Sequence, residues 1–226
     1  MITAFLPCRK GSQRIPNKNI KKFADVEGGL LEIKIKQLLA AKCVDRIVVS
    51  SNDERVLDFC NTRFGAYLIL DERPDHLGRS ETSTDELINY VPSIISEGVV
   101  LWTHVTSPFI EAADYDNIIN QYIDAVKQGY DSLMTVKKIM GFLWRNGRPL
   151  TYSRDQEKWP RTQTIEPVFE VDSGAFVADI AVYRDFGDRI GERPYLLEQN
   201  HVKTLDIDWP DDFELAELLW KRADRN

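Results

Sequence analysis

Short apolar runs alternate along this chain with segments of helical period. Ile2 to Leu6 reads as a first buried strand, followed by a polar loop to about Phe23. Leu31, Ile35, Leu38 and Leu39 then fall at i, i+4, i+7 and i+8, the spacing of an amphipathic helix. Arg46 to Ser50 predicts a second strand, Val56, Leu57, Cys60 and Phe64 a second helical stripe, and Ala66 to Leu70 a third strand. Leu87, Ile88, Val91, Ile94 and Ile95 predict a helix kinked at Pro92, because proline has no N–H to donate and its ring crowds the preceding turn. Val99 to Thr103 predicts a strand, and Tyr115 to Val126 a helix with Tyr115, Ile118, Ile119, Tyr122 and Val126 on its apolar face. Ser132 to Val136, Gly174 to Ala178 and Val202 to Ile207 predict further strands, and Phe213, Ala216, Leu219 and Trp220 a closing helix.

This alternation predicts an α/β fold of three layers, a mostly parallel sheet flanked by helices, in one domain spanning residues 1–226. It breaks between about residues 138 and 171. There Phe142 to Trp144 and Leu150 to Tyr152 flank Asn146-Gly147, a pair suited to a tight hairpin because both residues tolerate positive φ. The stretch reads as an excursion from the sheet, either a hairpin arm or an oligomerisation element.

Composition narrows the chemistry. The 226 residues carry 29 Lys+Arg against 36 Asp+Glu, a net charge of −7, which argues against a nucleic-acid or anionic-membrane surface as partner. No apolar run approaches the ~20 residues that cross a bilayer. The start MITAFLPCRK lacks the pattern of a secretory signal, so the expected location is the cytoplasm. Cys8, Cys43 and Cys60 make no CxxC pair, and His76, His104 and His201 are scattered, so neither a disulfide framework nor a zinc centre is expected. The charge is uneven, however. Arg9, Lys10, Arg14, Lys18, Lys21 and Lys22 fall in one segment with no acidic residue. A cationic cluster on an acidic protein suits a small anion.

That cluster follows the first strand, in Pro7-Cys8-Arg9-Lys10-Gly11-Ser12-Gln13-Arg14-Ile15-Pro16-Asn17-Lys18-Asn19. In an open α/β sheet ligands lie at the carboxyl ends of strands. Gly11 permits close backbone approach, Ser12 adds a hydroxyl, and Arg9, Arg14 and Lys18 suit phosphate oxygens. The segment is neither a Walker loop nor a GxGxxG turn. Near the other end, Asp206 and Asp208 stand at i and i+2, on one side of an extended chain, where hard oxygens suit Mg²⁺ bound to phosphates. Such pairs also serve glycosyltransferases, and Asp208 before Trp209-Pro210 would equally suit a helix cap.

The first loop resembles the P-x-R-x-G-S-x-R-I-P-x-K-N signature of the acylneuraminate cytidylyltransferases and their relatives that activate other nonulosonic acids. Further blocks resemble the family in its order: Val49 to Glu54, Arg73-Pro74, Thr106-Ser107-Pro108, Arg161-Thr162-Gln163, Ser173-Gly174-Ala175, and Leu205 to Asp208 with Asp212-Phe213. The resemblance implies a Rossmann-like nucleotidyltransferase in which Arg9, Gly11, Ser12, Arg14, Lys18 and Asn19 hold CTP and Arg73 lies near the cytidine. It implies Mg²⁺ on Asp206 and Asp208, with Arg9, Arg14, Lys18 and Asp208 as the catalytic set. It places His104, Thr106, Ser107 and Ser173 on the sugar-acid side. It makes the 138–171 excursion the dimerisation element of a homodimer, delivering Arg161 and Gln163 to the neighbour's sugar pocket. Two positions depart from the family. His104 stands where it usually has Gln, and Ser173 where it has Asn, both on the acceptor side. Cys8 replaces a small residue and reads as a space-filler. A transferase acting on another sugar or sugar phosphate, and a nucleotide-binding protein of reduced activity, stay open as alternatives.

Overall fold

The structure is a computed structural model that describes residues 1–223. In chain order its elements are β1 (Ile2–Pro7), α1 (Gly29–Ala40), β2 (Arg46–Ser51), α2 (Glu54–Phe64), β3 (Ile69–Glu72), α3 (Thr84–Ile94), β4 (Val99–Thr103) and α4 (Ala112–Lys127). There follow β5 (Ser132–Ile139), β6 (Trp144–Arg145), β7 (Arg148–Pro149), β8 (Val168–Asp179), α5 (Ile180–Phe186), β9 (Pro194–Glu198) and α6 (Pro210–Ala223). A seven-stranded sheet runs β3-β2-β1-β4-β8-β5-β9, with β8 antiparallel to both neighbours and every other pairing parallel.

Alternation along each central strand divides the core into two layers. Ala4, Leu6, Ile47, Val49 and Leu101 pack with α1, α2, α4 and α6 on one face. Phe5, Val48, Val100 and Trp102 pack with α3 and α5 on the other. Because both faces are covered, these strands read as nearly unbroken apolar runs. No helix among the described residues is long and apolar enough to cross a membrane.

The topology decides where a ligand fits. From β1 the chain steps outward to β2 and β3, then returns to lay β4 on the opposite side of β1. The strand order therefore reverses between β1 and β4, and a crevice opens at their carboxyl ends. β8 is twelve residues long, and its register sets Ala175 opposite Thr103, the last residue of β4. Its first half thus overhangs the sheet beside β5 as a two-stranded stem, carrying the excursion outward. In that arm Asn146 (φ 52°) and Gly147 (φ 75°) turn the β6–β7 hairpin, both in the left-handed region as a two-residue turn requires.

Several expectations need correction. The third strand runs from Ile69 to Glu72 and is preceded by a 3-10 turn at 65–67. The helix containing Pro92 continues two residues past it and ends at Ile94, so the proline stands in the last turn, where little helix is left to bend. Val126 is exposed, and Ala125 completes the buried face of α4. The segment 202–207 forms no strand. The sheet edge beside β5 is filled by β9, which the periodicity did not show, and α5 was likewise not foreseen.

Gly29 joins the first loop to α1. It has φ +62°, and a Cβ there would lie 2.1 Å from the carbonyl oxygen of Lys21. Gly29→Ala combines that clash with a strained backbone, so a loss of about 1–3 kcal/mol in urea unfolding is expected.

Candidate active site

The loop after β1 is fixed by continuing the strand pairing beyond the sheet. The Cys8 N–H donates to the Ser50 carbonyl (2.9 Å), the Ser51 hydroxyl to the Cys8 carbonyl (2.5 Å) and the Lys10 N–H to Asn52 Oδ1 (2.9 Å). Arg73 braces this junction from beneath, donating through Nε to Ser50 Oγ (3.1 Å) and through Nη2 to the Ser50 carbonyl (2.7 Å). It is only 4% exposed, and burial lowers its pKa from the ordinary arginine value. Ile15 inserts into the core, and Asn19 Nδ2 reaches back to the Arg9 carbonyl (3.3 Å), closing the loop on itself. The buried Cys8 thiol, its pKa pushed up by desolvation, fills space below. Asp53 caps α2, its carboxylate accepting from the Arg55 N–H.

The loop after β9 approaches from the other end of the chain. Ile207 is fully buried, and its N–H donates to the Thr106 carbonyl (2.9 Å). Lys203 pairs with Asp114 near the start of α4. With Ile207 turned inward, Asp206 and Asp208 face the crevice from either side of it. The cap of α6 is supplied by Asp212, whose Oδ2 accepts from the Trp209 N–H (2.7 Å) and the Asp208 N–H (3.1 Å). Asp208 is thereby left to other partners.

The resulting cleft has a volume of about 410 Å³. Arg9, Ser12, Arg14, Lys18 and Asn19 line it from the first loop, His104 and Thr106 from the end of β4, Ser173 from β8, and Asp206 and Asp208 from the last loop. Gly11, Arg73, Ser107, Arg161 and Gln163 do not. Ser107 is buried and its hydroxyl has no partner among the described residues, while Arg161 and Gln163 lie exposed on the arm. Gln13 and Thr84 also line the cleft and were not singled out from sequence. Thr84 opens α3 behind a Ser83–Glu86 capping box, and that Ser-x-x-Glu spacing was the readable signal. A larger hollow of about 760 Å³ lies on the arm, but no lysine, arginine or histidine lines it. The chemistry gathers in the smaller cleft.

Part of the charge inside the cleft is already paired. Arg14 Nη2 donates to Asp208 Oδ1 at 3.1 Å, and Lys18 Nζ lies 3.5 Å from the same oxygen and 2.5 Å from the Ile207 carbonyl. The Arg14 guanidinium also rests 4.8 Å from the Trp209 ring centre. Burial lowers the Lys18 pKa, against the opposing pull of Asp208 and Asp206. Asp206 shifts the other way. Burial raises its pKa, a Thr106 hydrogen bond offsets part of the rise, and its buried Oδ1 has no partner among the described residues. An orphaned carboxylate oxygen beside a second carboxylate is a hard-oxygen site that Mg²⁺ fits. No cluster of three or more His, Cys, Asp or Glu forms a metal cage among the described residues, so an ion held here would have to complete its shell with oxygens from outside the chain, as Mg²⁺ commonly does.

His104 lines the cleft with both ring nitrogens engaged. The Trp102 Nε1–H can only donate, and it points at His104 Nε2 (2.8 Å), so Nε2 is unprotonated. Nδ1 therefore carries the hydrogen and donates to the Ser173 carbonyl at 3.0 Å. Both nitrogens are engaged within the protein, and Ser173 is held at φ 59°, in the left-handed region.

A family profile described as cytidylyltransferase matches residues 3–225. The chain belongs to the cytidylyltransferase family. It is 25% identical over 232 residues to the pseudaminic acid cytidylyltransferase of Campylobacter jejuni (serotype O:2), covering 96% of this chain and 94% of that protein. It is 26% identical over 238 residues to the N-acylneuraminate cytidylyltransferase of Escherichia coli O18:K1:H7, covering 99% of this chain and 53% of that longer protein. Among solved structures, a CMP:2-keto-3-deoxy-manno-octonic acid synthetase complexed with CTP superposes with a TM-score of 0.69 at 15% identity, covering 98% of this chain and 99% of that one. At that identity the likeness establishes the fold: a Rossmann-like, mostly parallel sheet flanked by helices.

Burial holds the His104 pKa down to about 4, below its ordinary 6.5. The unfolded chain therefore takes up a proton between these values that the folded one refuses, so this contribution to stability is complete above about pH 6.5 and shrinks as pH falls toward 4. Urea unfolding of this cytidylyltransferase across that window should show a steeper loss than His104→Gln does; equal slopes would contradict the assignment.

Proposed function

We propose that this cytidylyltransferase transfers the cytidylyl group of CTP to a 2-keto sugar acid of the nonulosonic class, giving a CMP-sugar and pyrophosphate. The observation that carries this reading is the convergence of Arg9, Arg14 and Lys18 with Asp206 and Asp208 in one cleft at the sheet's reversal point. The relatives named for pseudaminic and N-acylneuraminic acid supply the acceptor class.

In this reading the triphosphate takes the place of Asp208 as partner of the loop cations. The exchange is easy, because Arg14 and Asp208 are 44% and 45% exposed and a pair so wet contributes at most about 1 kcal/mol. Arg14 offers a planar fork to phosphate oxygens, Lys18 a compact charge, and Ser12 and Asn19 neutral hydrogen bonds. The acceptor lies toward Thr106 and Ser173, and its anomeric hydroxyl attacks the α-phosphorus in line as pyrophosphate leaves. Asp206 and Asp208 would hold Mg²⁺, which would supply positive charge to phosphate oxygens and ease loss of the acceptor hydroxyl's proton to solvent. Arg9, Arg14 and Lys18 neutralise the charge that grows on the departing pyrophosphate, and such preorganised electrostatics are the main source of rate in transfers of this kind. CTP supply puts the reaction in the cytoplasm.

The arm gives the reading a second subunit. Trp144, Leu150 and Trp159 are exposed on it, around a cluster in which Phe142 meets Tyr152 and Trp159 edge to face at 5.2 and 5.3 Å. An apolar arm of this kind suits a homodimer in which Arg161 and Gln163 enter the neighbour's cleft.

The test is pyrophosphate release from CTP with a panel of 2-keto sugar acids. Turnover with at least one acid and Mg²⁺ is expected, and CTP binding without release across the panel would overturn the reading. Asp208→Asn should lower turnover by about 100-fold or more with thermal stability nearly unchanged; wild-type activity in that variant would remove Asp208 from the metal site. Mixing Arg161→Ala with Asp208→Asn, each nearly inactive alone, should restore part of the activity through mixed dimers, and no recovery would count against an arm acting across an interface.

A further inference from the structure

A lysine stands on the apolar stripe of α1 where an aliphatic residue would be expected. Lys34 lies between Leu31 and Leu38 and is 0% exposed. Its ammonium donates to the carbonyls of Ser107 (2.8 Å) and Ile110 (3.3 Å) and to the Tyr115 hydroxyl (2.7 Å), which accounts for all three of its hydrogens. Tyr115 accepts from Lys34, so its own hydrogen goes to Thr103 Oγ1 at 2.7 Å. Thr103 in turn donates to the Gly174 carbonyl at 2.7 Å. The line therefore runs in one direction, from the ammonium through two buried hydroxyls to β8.

Its two ends are informative. One grips the 104–110 loop, which presents Thr106 to the cleft, and the other grips the turn that presents Ser173. From the opposite face of β4, His104 holds the carbonyl of Ser173. Successive carbonyls of β8 are thus held by the last residue of β4 and by the residue that follows it. The two gripped segments also touch, since a Cβ on Gly174 would fall 2.4 Å from Ile110 Cδ1. An apolar residue of similar length would fill the Lys34 site without the cost of burying an ammonium, a cost visible in a pKa pushed well below the lysine norm. The bonds of this unfavourably buried group lead to the wall of the cleft.

We propose that Lys34 is a positioning residue for the acceptor wall, setting the 104–110 loop and the Ser173–Gly174 turn against which the sugar acid lies. The proposal rests on the acceptor side assigned above. Tyr115→Phe removes the relay and keeps the ring, and Lys34→Met replaces the ammonium with an apolar chain. In Tyr115→Phe, hydrogen exchange in segments 104–110 and 172–175 of the free protein should rise about fivefold, the scale of one buried hydrogen bond. The KM for N-acetylneuraminic or pseudaminic acid, whichever the wild type uses, should rise by a similar factor, with the Kd for CTP within about twofold of wild type. Lys34→Met should show the same pattern more strongly; if it fails to fold, Tyr115→Phe decides alone. A fall in thermal stability with exchange in both segments and acid KM unchanged would make Lys34 an ordinary core residue and overturn the proposal. If the wild type uses neither acid, unchanged exchange in both segments would still overturn the proposal, independently of the functional reading.

Discussion

The contact between the first loop and the last one is what the site depends on. Arg14 and Lys18 reach Asp208 across 194 and 190 residues of sequence, so the two halves of the chemistry meet only when the whole sheet has assembled. Neither ion pair is strong enough to cause that meeting. The stabilisation comes from the buried apolar anchors beside each charge: Ile15 for the cationic loop and Ile207 for the carboxylate pair, both sealed into the same core layer. Each polar group facing the crevice is thus held by a neighbour facing the core, and the charges remain free to exchange partners.

The two sides of the cleft are built on opposite physical principles. The wall built by the first and last loops is charged, with Arg14 and Asp208 nearly half exposed and Lys18 largely buried. The opposite wall is held by hydrogen bonds internal to the protein: a histidine locked in one tautomer, a threonine–tyrosine–lysine line, and two successive carbonyls of β8 held by Thr103 and His104. An anion with many oxygens is bound well by adaptable cations.

How much of this could be read from sequence depended on how local each cause was. The cationic loop was legible because its residues are contiguous and follow an obvious strand. Asp206 and Asp208 were legible as a pair, although the extended segment carrying them is no strand. Val202, Leu205 and Ile207 have an apolar spacing that mimics one, but a strand needs a partner, and β9 had already taken the free edge of β5. The hydrogen bonding of His104 was not legible for a related reason. Only one of its two partners, Trp102, is near in sequence, and the carbonyl that completes its tautomer lies 69 residues away. The resemblance placed Arg73 near the cytidine but a motif says nothing about depth; in the structure Arg73 is buried, supports the loop through Ser50 and does not line the cleft. Lys34 drew no notice because a single lysine does not disturb a helical stripe.

In the proposed function the loop cations turn to the triphosphate while Asp206 and Asp208 take Mg²⁺ beside it. That exchange is tested most directly by calorimetric titration of CTP, with and without Mg²⁺, into the wild type and into the double variant Asp206→Asn, Asp208→Asn. The account predicts that Mg²⁺ tightens CTP binding to the wild type by about tenfold or more and that this increment disappears in the double variant. An equal Mg²⁺ increment in both proteins would contradict it.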